Sequence, residues 1–122
     1  MPAYNFMPRF AAAVESGRKR QTIRMRRERP TKPGDTLSLF VHQRMPRCRV
    51  LGKHVCKSVT PIHILPYVGE VFLGDGTTRE WLSQEAVESM ARADGFASVE
   101  AFFEFFRRYT AMERESLEII EW

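Results

Sequence analysis

Long apolar runs are missing from this chain, and no stretch approaches the ~20 residues that a helix needs to cross a bilayer. Residues 1–10 lack a basic start followed by an extended apolar region, so neither a secretory leader nor a membrane partner is expected, and the expected location is cytoplasmic. Cysteine is scarce. Cys48 and Cys56 stand alone, and without a secretory signal they are expected to be reduced and structural. His42, His54 and His63 lie nearby, but their spacing matches no zinc signature, so neither a metal nor another cofactor is expected. Repeats, low-complexity tracts and linkers are absent too, and 122 residues suit one domain with a single core. Negative charge is rare in the first half. Residues 1–60 hold fourteen Lys/Arg against three Asp/Glu, whereas residues 61–122 hold five against twelve. Folding does not require such a split, which suggests a face built for an anionic partner, with nucleic acid the natural candidate.

What is present reads in order. Met7, Phe10, Ala11 and Val14 follow the i, i+3, i+4, i+7 spacing of an amphipathic helix, with Pro8 in its first turn and Gly17 just past its end. Arg24 to Lys32 is polar and cationic and reads as an exposed loop closing on a turn at Lys32-Pro33-Gly34-Asp35. Thr36 to Val41 alternates as a strand with Leu37 and Leu39 on one face, and His42 to Pro46 reads as a second polar loop. Cys48 to Val59 has a broken period of two, expected to be one long strand with a bulge or bend at Gly52. Ile62 to Leu65 and Glu70 to Leu73 are short strands separated by Pro66. Gly74-Asp75-Gly76 then turns the chain into a further strand over Thr77 to Trp81.

Beyond Trp81 the period becomes helical. Leu82, Ala86, Met90 and Ala93 suit one helix face, and Gly95 can stop that helix. Ser98 is placed to cap a second helix, along which Val99, Phe102, Phe103 and Phe106 form an inward stripe with Glu100, Glu104, Arg107 and Arg108 outside. Leu117 to Trp122 alternates as a returning strand. The order α, several β, α, α, β predicts an α+β fold with a curled or barrel-like sheet.

The densest chemistry lies at Gly17-Arg18-Lys19-Arg20-Gln21-Thr22-Ile23-Arg24, where a helix stop leads into a strand through three consecutive cations. Gly17, Lys19 and Arg24 in the pattern G-x-K-x-x-x-x-R resemble the signature of the ASCH family, whose domains have a PUA-like β-barrel. The preceding helix with aromatic and arginine residues, the Pro33-Gly34-Asp35 turn, the Ala93-Asp94-Gly95-Phe96 segment before an aromatic helix and the strand ending at Trp122 resemble small bacterial and phage ASCH proteins. The likeness covers most of the chain. It implies a PUA-like barrel and a target of RNA or modified nucleosides. One bacterial branch removes the acetyl group from N4-acetylcytidine with a lysine, a threonine three residues later and a downstream glutamate. On this chain those places fall on Lys19, Thr22 and Asp94, the last an aspartate where the family pattern has the longer acid.

The residues carry a consistent chemistry. A threonine hydroxyl becomes nucleophilic beside a neutral base, and lysine is a base near neutral pH once its cation is disfavoured. Arg18, Arg20 and Arg24 are expected to supply that pressure as like charges, with burial adding to it. In an unbroken strand Lys19 and Thr22 would face opposite ways, so the backbone must bend between them. Arg18, Arg20, Arg24, Arg26, Arg27 and Arg44 are the expected contacts to substrate or RNA. Three functions stay open at this point: an amidohydrolase, a non-catalytic RNA-binding module, and a phage or host protein-interaction domain.

Overall fold

In the computed structural model, which describes residues 2–108 and 117–122, the chain folds as α+β, with eight strands and three helices among those residues. Strand β1 (Ala3–Phe6) leads into helix α1 (Pro8–Ser16). Tyr4 and Phe6 alternate inward along β1, a strand the expected element order lacked. Pro8 sits in the first turn of α1, where a missing N–H costs nothing. Gly17, at φ 84°, ends the helix, and the N–H groups of Gly17 and Lys19 turn back onto the carbonyls of Val14 and Ala13.

Strand β2 (Gln21–Met25) follows, so Arg24 belongs to a strand rather than to the expected loop. Strand β3 (Thr36–Val41) buries Leu37 and Leu39 as anticipated and pairs with both β1, in parallel, and β4 (Arg49–Val55). The β3–β4 register shifts between Leu39, opposite Gly52, and Phe40, opposite Val50, which places the bulge beside Gly52. The single long strand expected over 48–59 is two strands instead. The Cys56 N–H bonds Asp35 O at 2.8 Å, and the Lys57 N–H bonds Glu121 O at 2.7 Å. Between these adjacent residues the chain passes from one sheet to the other, and β5 (Ser58–Leu65) continues in the second sheet.

That second sheet has the order β2-β8-β5-β6-β7, with β6 (Glu70–Leu73), a two-residue β7 (Glu80–Trp81) and the returning β8 (Leu117–Glu121). The first has the order β1-β3-β4. Where a curled or barrel-like sheet is expected, the described residues form two sheets, and the edge strands β1 and β2 are not hydrogen-bonded to each other as a ladder.

Helix α2 (Gln84–Ala93) starts after Ser83, whose hydroxyl accepts from the Ala86 N–H. Val87 and Ala91 are its buried residues, one position off the expected Leu82/Ala86/Met90/Ala93 face, of which Leu82 and Met90 pack against the core while partly exposed. Helix α3 (Val99–Arg108) is capped by Ser98 and buries Phe102, Phe103 and Phe106, as its spacing predicted. At about 25 cal/mol per Å² of apolar surface, such rings supply much of the folding free energy. No helix among the described residues is long and apolar enough to cross a membrane.

Candidate functional site

The edges of the two sheets meet along β1 and β2, and side chains bridge the gap that a backbone ladder would close in a barrel. Arg24 donates to the carbonyl of Asn5 at 2.6 Å, and Arg27 donates to the carbonyl of Ala3. Both acceptors lie on an edge strand that would otherwise leave them unpaired. Next to this seam lies a cavity of about 280 Å³ lined by Asn5, Phe6, Phe10, Lys19, Thr22, Arg24, Asp94, Phe96 and Phe105, among others.

Each polar side chain reaches the cavity for a local reason. Thr22 and Arg24 are two apart on β2 and so share a face. Arg24 Nε donates to Thr22 Oγ1 at 2.9 Å. Lys19 precedes the strand, still held by the α1 turn through its N–H, so strand parity does not apply to it and it lines the same cavity as Thr22. The bend required between these residues is present.

Asp94 comes from the other end of the chain, where α2 stops. The Gly95 N–H bonds Arg92 O and the Phe96 N–H bonds Ala91 O, with Gly95 left-handed at φ 94°, which is a Schellman closure. Asp94 thereby presents a free helix-terminal carbonyl and its carboxylate together. Lys19 Nζ donates to both, at 2.5 Å to the carbonyl and 3.1 Å to Oδ1. The lysine thus caps the negative end of α2. Gln21 Nε2 adds a long contact to the same Oδ1 at 3.5 Å. Gly95 is needed for more than its dihedral. A Cβ there would sit 2.9 Å from Phe10 and 3.1 Å from the Lys19 stem.

Lys19 is 3% exposed and Asp94 6%, and this burial sets the electrostatics. Loss of water pulls Lys19 below the ordinary lysine value, while Asp94 pushes it back up and Arg24 adds a smaller downward push. Burial raises Asp94 above the usual aspartate range, against the pull of Lys19, Gln21 and Arg24. Burial also lowers the Arg24 guanidinium. The expectation that the arginine cluster would lower Lys19 is corrected: burial is the larger cause, and Arg24 is the arginine that contributes.

The other expected contacts lie elsewhere. Arg18 and Arg20 are exposed and border a separate depression with Gln21, Lys57, Glu121 and Trp122. Arg26 is exposed beside Glu118, whose carboxyl burial raises and Arg26 lowers. Arg27 stacks 4.0 Å from the Tyr4 ring centroid, close to Arg24 but outside the cavity lining. Arg44 sits at φ 65° in the exposed 42–48 loop and does not line the cavity.

Asn5, Phe6, Phe10 and Phe105 line the cavity and Gln21 touches Asp94, although the sequence reading assigns none of them to the site. A signal existed for one of them: Phe6 alternates with Tyr4, which marks a strand, and Phe6 reaches the cavity because β1 is there. No protein-family model matches this chain, and neither the curated proteins nor the solved structures contain a significant match.

Proposed function

We propose that this chain is an ASCH-type domain of PUA-like architecture whose cavity takes a modified nucleoside and hydrolyses an N4-acyl amide of cytidine. The observation that carries the reading is the convergence of Lys19, Thr22 and Asp94 on one aromatic-lined cavity of about 280 Å³. That volume lies just below the range of about 300–1,000 Å³ usual for drug-sized ligands, so it suits a base or nucleoside. Burial disfavours the charged forms of both Lys19 and Asp94. Passing one proton from the ammonium to the carboxylate leaves a neutral amine and a neutral acid.

The amine then takes the Thr22 hydroxyl proton as the oxygen attacks the acyl carbonyl, and Arg24, already on Thr22 Oγ1, faces the developing negative charge. Collapse of the adduct breaks the C–N bond, with the proton returned from Lys19 to the departing cytidine amine. Water then cleaves the threonyl ester, releasing the carboxylate and restoring Thr22. Incubation with N4-acetylcytidine should release acetate and cytidine, with Lys19→Met and Thr22→Val abolishing turnover. Absence of turnover in the wild type across a panel of N4-acylated cytidines overturns the hydrolase reading.

One observation favours a second reading, a site that binds RNA without cleaving it. Thr22 Oγ1 is engaged by Arg24, and Lys19 bonds Asp94 instead. Tight binding of the nucleoside or RNA without turnover selects that reading.

A further inference from the structure

Four cations run past the cavity, each seated on aromatic rings. Arg27 lies 4.0 Å from the Tyr4 centroid, and Arg24 lies 5.5 Å from Tyr4 and 4.9 Å from Phe6. Lys19 follows, at 5.7 Å from Phe6 and 5.1 Å from Phe10. Arg9 closes the row, 4.7 Å from Phe10, 5.3 Å from Phe105 and 5.8 Å from Phe96. The order is Arg27, Tyr4, Arg24, Phe6, Lys19, Phe10, Arg9, alternating cation and ring.

Tyr4, Phe6 and Phe10 are buried, so they cannot stack on a ligand base. Their faces hold the cations in place without cancelling the charge. Carboxylates would cancel it, and elsewhere they do: Arg49 pairs with Glu15, Arg92 with Glu88 and Arg107 with Glu104. Among the described residues no ion pair involves Arg9, Arg24 or Arg27, and the one carboxylate in the row, Asp94, is spent on Lys19. Arg9 and Arg27 are exposed at the two ends, with the cavity between them.

We infer that Arg9 and Arg27 are phosphate subsites on either side of the cavity, so that the ligand is a phosphate-bearing nucleotide rather than a bare nucleoside. This rests on the reading that the cavity holds a nucleoside. A guanidinium seated over a ring keeps N–H groups available for a phosphate, Arg27 offering those that it does not give to the Ala3 carbonyl, and pre-placing it lowers the entropy lost on binding. The phosphate belongs either to a mononucleotide or to the backbone of a single strand.

The test uses Thr22→Val protein, in which the ligand survives, and compares N4-acetylcytidine, its 5′-monophosphate and a single-stranded trinucleotide with the modified base at its centre. Hydrogen bonds between charged groups are strong enough that the phosphate should tighten binding by about tenfold or more. Arg9→Gln or Arg27→Gln should remove that gain for the trinucleotide and leave nucleoside affinity unchanged, and each should lower the salt slope by about one. Arg44→Ala should change neither. A trinucleotide tighter than the monophosphate identifies a strand as the source, and equal affinity identifies a mononucleotide. Equal binding of nucleoside and both phosphorylated ligands overturns the inference while leaving the proposed function standing. Failure of all three to bind removes the nucleoside reading and this inference with it.

Discussion

Two basic regions of this molecule look alike in composition and differ in construction. One is the seam between β1 and β2, with Lys19, Arg24 and Arg27; the other is the loop and strand start with Arg44, Arg47 and Arg49. In the seam, each cation is held by ring faces, backbone carbonyls or a buried carboxylate. In the loop, Arg44 and Arg47 are exposed, and Arg49 is spent on an exposed pair with Glu15. Exposed ion pairs contribute about 0–1 kcal/mol because water and salt screen them. The difference teaches that a cation count locates a basic surface, whereas placement among buried rings and carbonyls locates a site.

The sharpest way to break this comparison is to remove one member of the buried pair. Asp94→Ala leaves the Lys19 charge buried and unpaired, and Lys19→Met leaves the end of α2 without its donor and the Asp94 carboxylate with the long contact from Gln21. Each should destabilise by about 3–5 kcal/mol in denaturant titrations. The double variant Lys19→Met/Asp94→Leu should cost clearly less than the sum, since two apolar groups replace two buried charges. Strict additivity would show that the pair does not act as a unit.

A smaller effect is expected at Gly95. Alanine there meets both a left-handed φ of 94° and ring and stem atoms at 2.9 and 3.1 Å. The dihedral alone costs about 1–2 kcal/mol. The crowding falls on Phe10 and Lys19, so Gly95→Ala should also weaken ligand binding. A loss of stability with ligand affinity intact would separate the helix stop from the site.

The smallest effect is a slope in pH. Burial raises Asp94 above the ordinary aspartate value of 3.8. Between that value and its folded value, the native state holds a proton that the unfolded state has released. Stability from this group therefore falls as pH rises through the window. The wild type minus Asp94→Asn difference in unfolding free energy, followed from pH 3.5 upward, should decline by at most about 1.4 kcal/mol per pH unit. A difference that grows with pH would mean that the ion pair outweighs burial.

Much of the local architecture was readable in the chain. The stop at Gly17, the Ser98 cap and the Phe102/Phe103/Phe106 stripe rest on contacts or spacings within a few residues, and the final strand on its alternation, and each lies where its pattern put it. Thr22 and Arg24 share a face because strand periodicity is two. The misses have a common cause. β1 is four residues long and gains its order by pairing with β3, some 35 positions away. The division of residues 48–59 into two strands is decided by Asp35, just before β3 of one sheet, and Glu121, in β8 of the other.

The sequence by itself determined the three helices, the Ser98 cap, the aromatic face of α3 and the position of the glycine that ends α1 ahead of β2, because short-range hydrogen bonds and periodicity govern all of these. It also placed three cations in succession, Arg18, Lys19 and Arg20, with nothing in their order to rank them. Tertiary structure alone decided that the middle one is buried and its neighbours are not. The end of a helix 75 positions away supplies a carbonyl and a carboxylate that a buried ammonium requires, and a single such terminus can satisfy a single cation.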